Sequence, residues 1–547
     1  MFGFSQGSSW GKLPPALANG RWIARVEWAL AILVSVMVIA LIIVRITCAG
    51  AMWRDQCGTT QLALMPLGEL LDKFHHQTLP PLLPLIYRLY LKVVGIAEPV
   101  LHAFRLNGAI GLIVAAWIGA RMNAKQAPLF FLTLFGLNSF FLYWAGYALT
   151  AASIAPVLFI GAGVILQPSR GRILGLGGAA LISAQLLINN LLLVVIVMIS
   201  GILACLIRPA YKLALVFTGV LIVCVISDLY YLHVYAAADW RIVLKQPTTF
   251  ASLWPEIRAV FGEPQAIMLY LWSFIFAAGL AAAAWALSGA WRRGDWPRSR
   301  LSILVILTAL LAPIAYCLSF VLNANIGVEA RHFLPMVAIL AAGFDIVVAH
   351  FASHRWIRLA RIALTAVALF VMPFASWPML TQRQTNIDIV ARKLEQEAGR
   401  NDLIVVNPWS LGISFQWYYH GAARWLTLPN ISDHQIHRYD LLKEKMMSAS
   451  PIEDVKREIG ATLQRGHRVW VVGSLYPPDQ PGLPLFPFPA PDPDFGWQHM
   501  IYREAWAQQL RDFVARRAIK ANCLINPSSN VYSFENVPLW VVEGESQ

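Results

Sequence analysis

Charge is what this chain lacks most. Asp, Glu, Lys and Arg make up 13% of its 547 residues and hydrophobic residues 58%, whereas a soluble domain averages about 25% charged residues. A chain solvated mainly by water is therefore excluded. Cysteine is sparse too: six residues, scattered, with no Cys-x-x-Cys, which excludes a disulfide scaffold. Cys48 and Cys57 flank the segment after the first apolar run, where a pair or two free thiols are both open readings. Acids are rare before residue 381, with 12 Asp and Glu against 26 Lys and Arg, a net of +14. From 381 onward the numbers are 18 and 17, a net of −1. The basic excess belongs to the apolar part, as membrane topology requires, and argues against a nucleic-acid partner.

Long apolar runs are what the chain has. A membrane helix needs about 20 mostly apolar residues, with a range of roughly 17–25. Eleven segments qualify: Trp28–Ile46, Ala103–Ala120, Pro128–Tyr147, Thr150–Leu166, Arg172–Ile188, Asn190–Ile207, Tyr211–Leu232, Ala266–Ala290, Leu301–Leu322, Phe333–His350 and Arg361–Met379. The two meeting at Asn189-Asn190 read either as two short spans or as one bent helix with a re-entrant piece. The first run follows a long polar lead without a small-residue cleavage site, so it reads as a retained anchor. Sixteen of the 26 basic residues fall in the short segments on the N-terminal side, which places that side in the cytoplasm. An odd number of spans then puts the C-terminal region outside. The expected organisation is a cytoplasmic segment 1–27, a transmembrane domain 28–380 and an extracytoplasmic α/β domain 381–547. The fold class is thus a mostly α polytopic membrane protein carrying a C-terminal extracytoplasmic α/β domain.

Within the outer segment 48–102, Leu79 to Val94 has helical apolar spacing with Arg88 and Lys92 to one side, the pattern of a helix lying at the interface. Beyond Thr381, Asn386–Ala398, Ile452–Gln464 and Ile501–Ile519 read as helices. Leu403–Asn407 and Val469–Gly473 read as buried parallel strands, each ended by a turn former. Neither is followed by Gly-x-Gly-x-x-Gly, which argues against nucleotide binding. Tyr476–Pro493, rich in proline, reads as a loop.

The residues most suited to chemistry follow the first span: Trp53-Arg54-Asp55-Gln56, then His75-His76-Gln77-Thr78-Leu79-Pro80-Pro81-Leu82. An Asp just beyond a membrane helix suits two tasks, proton abstraction from an acceptor or ligation of a divalent metal that holds a phosphate. Arg54, His75 and His76 are donors suited to a phosphate. On residues alone, a structural ion pair at the interface is the better reading. Asp239 with Arg241 reads as a local ion pair. Asp228 and Asp345 fall inside apolar spans, where carboxylates draw suspicion by default, and Asp345 reads as a helix-packing group. Trp53, Trp409 and Trp417 suit stacking on sugar rings, whereas His420, His434 and His437 are too irregular for a zinc site.

In their order these motifs resemble the membrane glycosyltransferases of the GT-C fold, most nearly the protein O-mannosyltransferase and aminoarabinose-transferase-like group. The resemblance rests on Trp53-Arg54-Asp55, then Pro80-Pro81-Leu82, then Arg105-Leu106 at the head of the second span. Arg331-His332-Phe333-Leu334-Pro335 opens a late span in the same manner, and Asn407-Pro408-Trp409, Gly412-Ile413-Ser414-Phe415 and Tyr418-Tyr419-His420-Gly421 resemble the group's soluble tail. It implies a glycosyltransferase that moves a sugar, with inversion, from a polyprenyl-phosphate donor to a glycolipid, polysaccharide or protein acceptor. Asp55 would be the base, and Arg54, His75, His76, Arg105, Arg331 and His332 would hold the donor phosphate; a bacterial inner membrane suits the resemblance. On the residues alone, Arg331 reads equally as an interfacial anchor at a helix mouth that Glu329 neutralises. Two departures stand out. Leu79 occupies the place before Pro-Pro where relatives often have His. The turn Ala145–Thr150 lacks the acid that many relatives carry, which favours a metal-free mechanism over the divalent metal that Asp55 would otherwise allow. The competing reading is a transporter or flippase of a lipid-linked saccharide, for which the break at Asn189-Asn190 is the best feature.

Overall fold

The structure, a computed structural model, describes residues 21–76, 80–123, 125–237, 248–263, 265–322, 328–351, 354–476 and 483–544. Asp239 and Arg241 lie outside them, as does the His75 side chain. Among the described residues nine helices are long and apolar enough to cross a membrane: Trp22–Cys48, Glu98–Met122, Leu149–Leu166, Ile188–Ile207, Tyr211–Val234, Ile267–Arg293, Trp296–Leu322, Ala330–His350 and Arg355–Thr381. They coincide with nine of the eleven expected spans, and the other two depart for local reasons.

The expected span Arg172–Ile188 is a 17-residue helix, Arg170–Leu186, that stops where Leu187 is extended at φ −155° and ψ 129°. A new helix starts at Ile188, so the break near Asn189 separates two helices. Asn190 spans it, donating to the Thr150 carbonyl at 2.6 Å and to the Ser183 carbonyl at 3.3 Å. The expected span Pro128–Tyr147 is not continuous. It consists of the π-turn Phe131–Phe135 and the short helices Ser139–Tyr143 and Ala145–Ala152. Polar groups make this division affordable in an apolar setting, where backbone groups need protein partners. Asp345 accepts from the N–H groups of Phe130 and Phe131 (3.1 and 2.8 Å), and Asn138 caps the next piece through Phe140 and Phe141. Asp345 thus packs helices, as its place in the sequence implied. Asp228 accepts from Gln185 at 2.6 Å.

At the other end of the bundle the first and last spans are stitched together. Arg45 donates to the carbonyls of Leu380 and Gln382, and Gln384 N–H donates to Ala49 (2.8 Å). Gly50, at φ +69°, lies against the Arg383 guanidinium with no room for a Cβ, and Arg383 exchanges backbone bonds with Asn530 and Tyr532 (2.8 and 2.9 Å). These contacts fix residues 50–55 beneath the C-terminal chain. Cys48 and Cys57 are free thiols. The amphipathic segment is the helix Leu82–Val94. Arg88 caps the helix Arg54–Leu64 by donating to the Ala63 carbonyl (3.0 Å), while Leu85, Leu89 and Val93 form an exposed apolar stripe.

The α/β region is a five-stranded sheet, β1 (Leu403–Val406), β2 (Arg424–Thr427), β3 (Val469–Val472), β4 (Ala518–Ile525) and β5 (Leu539–Gly544), ordered β2-β1-β3-β5-β4. β1 and β3 are parallel neighbours, in register Leu403 to Val469. Every residue of both is buried, because helices cover both faces of a parallel sheet. Leu403, Val405, Val469 and Val471 face one core, and Ile404, Val406, Trp470 and Val472 the other. The helices Ile387–Glu397 and Glu453–Gln464 match expectation to within a residue at each end. The third stops at Ala515 and not Ile519, because Ile519 belongs to β4, which pairs antiparallel with β5.

Candidate active site

The first span gives way at Trp53 to a short helix, Arg54–Leu64, whose first turn carries Asp55. A carboxylate there faces the positive end of the helix dipole. Arg54 lies with Nε 3.7 Å from Asp55 Oδ1, and its backbone N–H donates to Glu535 at 2.8 Å. His437, from the α/β region, places Nε2 3.0 Å from Asp55 Oδ1. The His437 ring stacks on Tyr439 (5.8 Å, 18°) and meets Trp409 edge-on (6.0 Å, 89°). Burial alone would raise the Asp55 carboxyl. The hydrogen bond and charge of His437, with Arg54 and Arg331, outweigh it and hold Asp55 below the usual carboxylate range. Asp55 is therefore ionised at neutral pH. Glu535, 1% exposed, goes the other way: burial pushes it up to about 7, with Arg54 only partly opposing.

Arg331 sits in the turn Ala330–Phe333 that opens the eighth of the nine spans. Its guanidinium lies over Trp144 (4.4 Å), Trp53 (5.2 Å) and Phe534 (5.7 Å), whose ring faces favour a cation removed from water. Glu329 neutralises it in part, at 3.2 Å.

Asp55, Arg54, Arg331, His332 and His76 all line one cavity of about 730 Å³ between the membrane helices and the α/β region. Its membrane-side wall is apolar and includes Leu187, Ile188, Phe320, Leu334 and Pro335. The opposite wall is polar and is built from Asn407, Ser410, Gly473 and Ser474 at the carboxyl ends of β1 and β3, with His499 and Arg503. Carboxyl ends of parallel strands are where open α/β sheets bind ligands. Of the sequence candidates, Arg105 is not among the lining residues: it is buried, its guanidinium given to Gln384, to Gln56 (3.1 Å) and to His102 (2.9 Å). It braces the Gln56 side of the Asp55 turn. His76 lies 3.6 Å from Asp440. Of the three tryptophans suited to stacking on sugars, Trp409 alone lines the cavity.

His437, weighed in the sequence only as a zinc ligand and set aside, completes the site with Tyr439 and Glu535, which sequence reasoning passed over. No local signal marked them for this site, since His437 meets Asp55 and Glu535 meets Arg54 only through the fold, and Tyr439, at the head of the helix Tyr439–Met447, reaches the site by stacking on His437. Among the described residues no three His, Cys, Asp or Glu side chains are placed to share a metal ion. Asp55 has the guanidinium groups of Arg54 and Arg331 acting on it, and their positive charge disfavours a divalent cation at this carboxylate.

No family model and no curated protein matches the sequence. The chain is similar to the crystal structures of ArnT from Cupriavidus metallidurans in the apo state (TM-score 0.49, 10% identity) and bound to undecaprenyl phosphate (TM-score 0.45, 11% identity). In both cases 83% of this chain and 93% of the other are covered.

Proposed function

We propose that the chain is a membrane glycosyltransferase that moves a sugar from a polyprenyl-phosphate donor to an acceptor at the extracytoplasmic face. The observation that carries the reading is the cavity: an ionised Asp55 meets Arg54 and Arg331 where an apolar membrane-side wall joins a polar wall. A polyprenyl chain suits the first wall, and its phosphate suits the cations at the junction. Arg331 and Arg54 stabilise the negative charge that grows on the departing phosphate. Asp55 takes the proton of the acceptor as the acceptor attacks the anomeric carbon from the opposite side, giving inversion. A carboxylate with a lowered pKa is a weak base towards a resting hydroxyl. It becomes adequate as the new bond forms and the hydroxyl grows acidic, and such transfer contributes about 10²–10⁴-fold. The Lys and Arg distribution supports placing this mouth outside the cytoplasm. Glycolipid, polysaccharide and protein all remain eligible as acceptor.

The test is incubation of the purified chain with a panel of radiolabelled polyprenyl-phosphate sugars and membrane extract. Transfer by the unvaried chain, lost in Asp55→Asn with polyprenyl-phosphate binding retained, is the expected result. Retained turnover in Asp55→Asn removes it as base. One observation favours the flippase reading: the helix break Leu187–Asn189 lines the cavity. Movement of a labelled lipid-linked sugar between leaflets, with no covalent transfer, would establish that alternative.

A further inference from the structure

The cavity wall contributed by the α/β region reaches the reacting carboxylate itself. His437 lies 382 positions from Asp55 in the chain, yet its Nε2 sits 3.0 Å from Asp55 Oδ1. A bare Nε2 lone pair would face the lone pairs of a carboxylate, so this nitrogen carries a hydrogen and donates. The ring is fixed from two directions, face-on by Tyr439 and edge-on by Trp409. Trp409 is itself held directly after β1, its N–H donating to the Leu428 carbonyl at 3.0 Å. Arg54 approaches the same oxygen, at 3.7 Å. Both neighbours engage Oδ1 and neither engages Oδ2, in a carboxylate that lines the cavity and is one-third exposed (33%).

We propose that His437 is a positioning residue for the transfer: it fixes Asp55 through Oδ1 so that Oδ2 receives the acceptor's proton, and the α/β region is thereby part of the site. This rests on the reading of function given above. In the step, the acceptor O–H or N–H bond breaks and its proton goes to Oδ2. The acceptor heteroatom bonds to the anomeric carbon, and the bond from that carbon to the phosphate oxygen breaks with its electron pair leaving on the polyprenyl phosphate. Charges balance without a further reactant.

The ionisable groups facing Asp55 come from every packed element: Arg54 on its own helix, Arg331, Tyr147, Cys57, Glu535 and His437. Of these, His437 makes the hydrogen bond. Its removal frees Asp55 to rotate and raises its proton affinity, so His437→Ala should lower kcat roughly 10- to 100-fold. The acid limb of the pH profile should move to higher pH by about one unit, with donor KM unchanged. His437→Gln, which keeps an N–H donor, should recover much of both. A second measurement does not need turnover. In thermal unfolding of the full chain in detergent, Asp55→Asn and His437→Ala should be non-additive, as paired neighbours are. Sugar transfer with an unmoved acid limb in His437→Ala, or a loss confined to KM, overturns the positioning role. Additive unfolding effects overturn it as well. A clear coupling in a chain that transfers none of the donors overturns the transferase reading instead, so the two failures are distinguishable.

Discussion

Arg361 and Asp345 form an ion pair 3.1 Å long in which both side chains are about 1% exposed. Glu27 accepts from Arg361 at 2.6 Å and from Arg358, which joins the first span to the last and balances two cations with two acids. Asp345 also accepts the N–H groups of Phe130 and Phe131. It therefore does two things at once: it neutralises Arg361 and caps the chain where a regular helix fails to form. Removing one member of a buried pair costs about 3–5 kcal/mol, since the other is left uncompensated. Asp345→Ala should destabilise the detergent-solubilised chain by that order in thermal unfolding. Polyprenyl-phosphate affinity should survive in the fraction that stays folded. A change within experimental scatter would show that the cluster does not brace the bundle.

Arg331 is expected to bind the donor phosphate through a planar guanidinium stacked among aromatic rings. A hydrogen bond to a charged group contributes about 1.5–3 kcal/mol. Arg331→Ala should thus weaken polyprenyl-phosphate binding roughly 10- to 150-fold. Arg331→Lys keeps the charge but neither the fork nor the stack on Trp144, and should recover only part of it. Equal affinity for all three proteins would remove Arg331 from the phosphate site.

Glu535 sets a pH dependence of stability. Its carboxyl is raised from an ordinary value near 4.5 to about 7, so the folded state holds the proton more tightly than the unfolded state does. The stabilisation is complete below about pH 4.5 and fades as pH rises towards about 7. Glu535→Gln, always neutral, should match the unvaried chain at pH 4.5 and be more stable at pH 8, by up to about 3 kcal/mol. Asp55 works in the opposite sense: its lowered carboxyl stabilises the fold above about pH 4, and that contribution fades on acidification. Unfolding midpoints at several pH values decide it. A Glu535→Gln protein that is less stable at pH 8 contradicts the assignment.

Much of this was legible in the chain because the signals are local. Apolar runs mark spans wherever lipid is the solvent, and the continuous apolar stretches at Leu403 and Val469 mark strands buried on both faces. Asp55 on its residues alone reads as half of an interfacial ion pair, and it is the order of motifs around it that singles it out. What stayed hidden depends on distant partners. The segment 128–147 is apolar enough for a span, and it breaks because Asp345 and Asn138 offer its backbone other partners. Arg105 was legible as a charge at a helix head, but its partner Gln384 lies beyond the last span, so its direction was not. His437 lies in a stretch with no periodicity, so only the docking of β1 and its following turn could place it beside Asp55.

The surroundings of Asp55 also bear on metal use. Arg54 and Arg331 already supply positive charge beside it, where a divalent ion would meet repulsion. Sugar transfer should be unchanged by a chelator titration, and added magnesium or manganese should not raise it. Loss on chelation, restored by one of those ions, would reassign Asp55 as a ligand.

Gly473 links strand geometry to the cavity wall. It follows β3 at φ +106°, and a Cβ there would overlap the Asn407 carbonyl. Its N–H donates to the Pro538 carbonyl at 2.8 Å, and Asn407 Nδ2 donates to the next carbonyl, that of Ser474, at 2.8 Å. The position thus holds three wall segments together: the turn after β1, the turn after β3 and the approach to β5. Gly473→Ala combines a disfavoured backbone angle with overpacking, for a cost of roughly 2–5 kcal/mol. Because the turn after β1 carries Trp409, and Trp409 fixes His437, transfer should fall further than stability alone explains. Gly178→Ala is the control, since a Cβ there meets nothing within 4 Å; in the interior of the helix Arg170–Leu186 it should leave transfer unchanged and raise stability by roughly 0.5–1 kcal/mol. Thermal unfolding and transfer measured on both variants check this. Wild-type transfer by Gly473→Ala would mean that the turn after β1 does not need its close contact with β3.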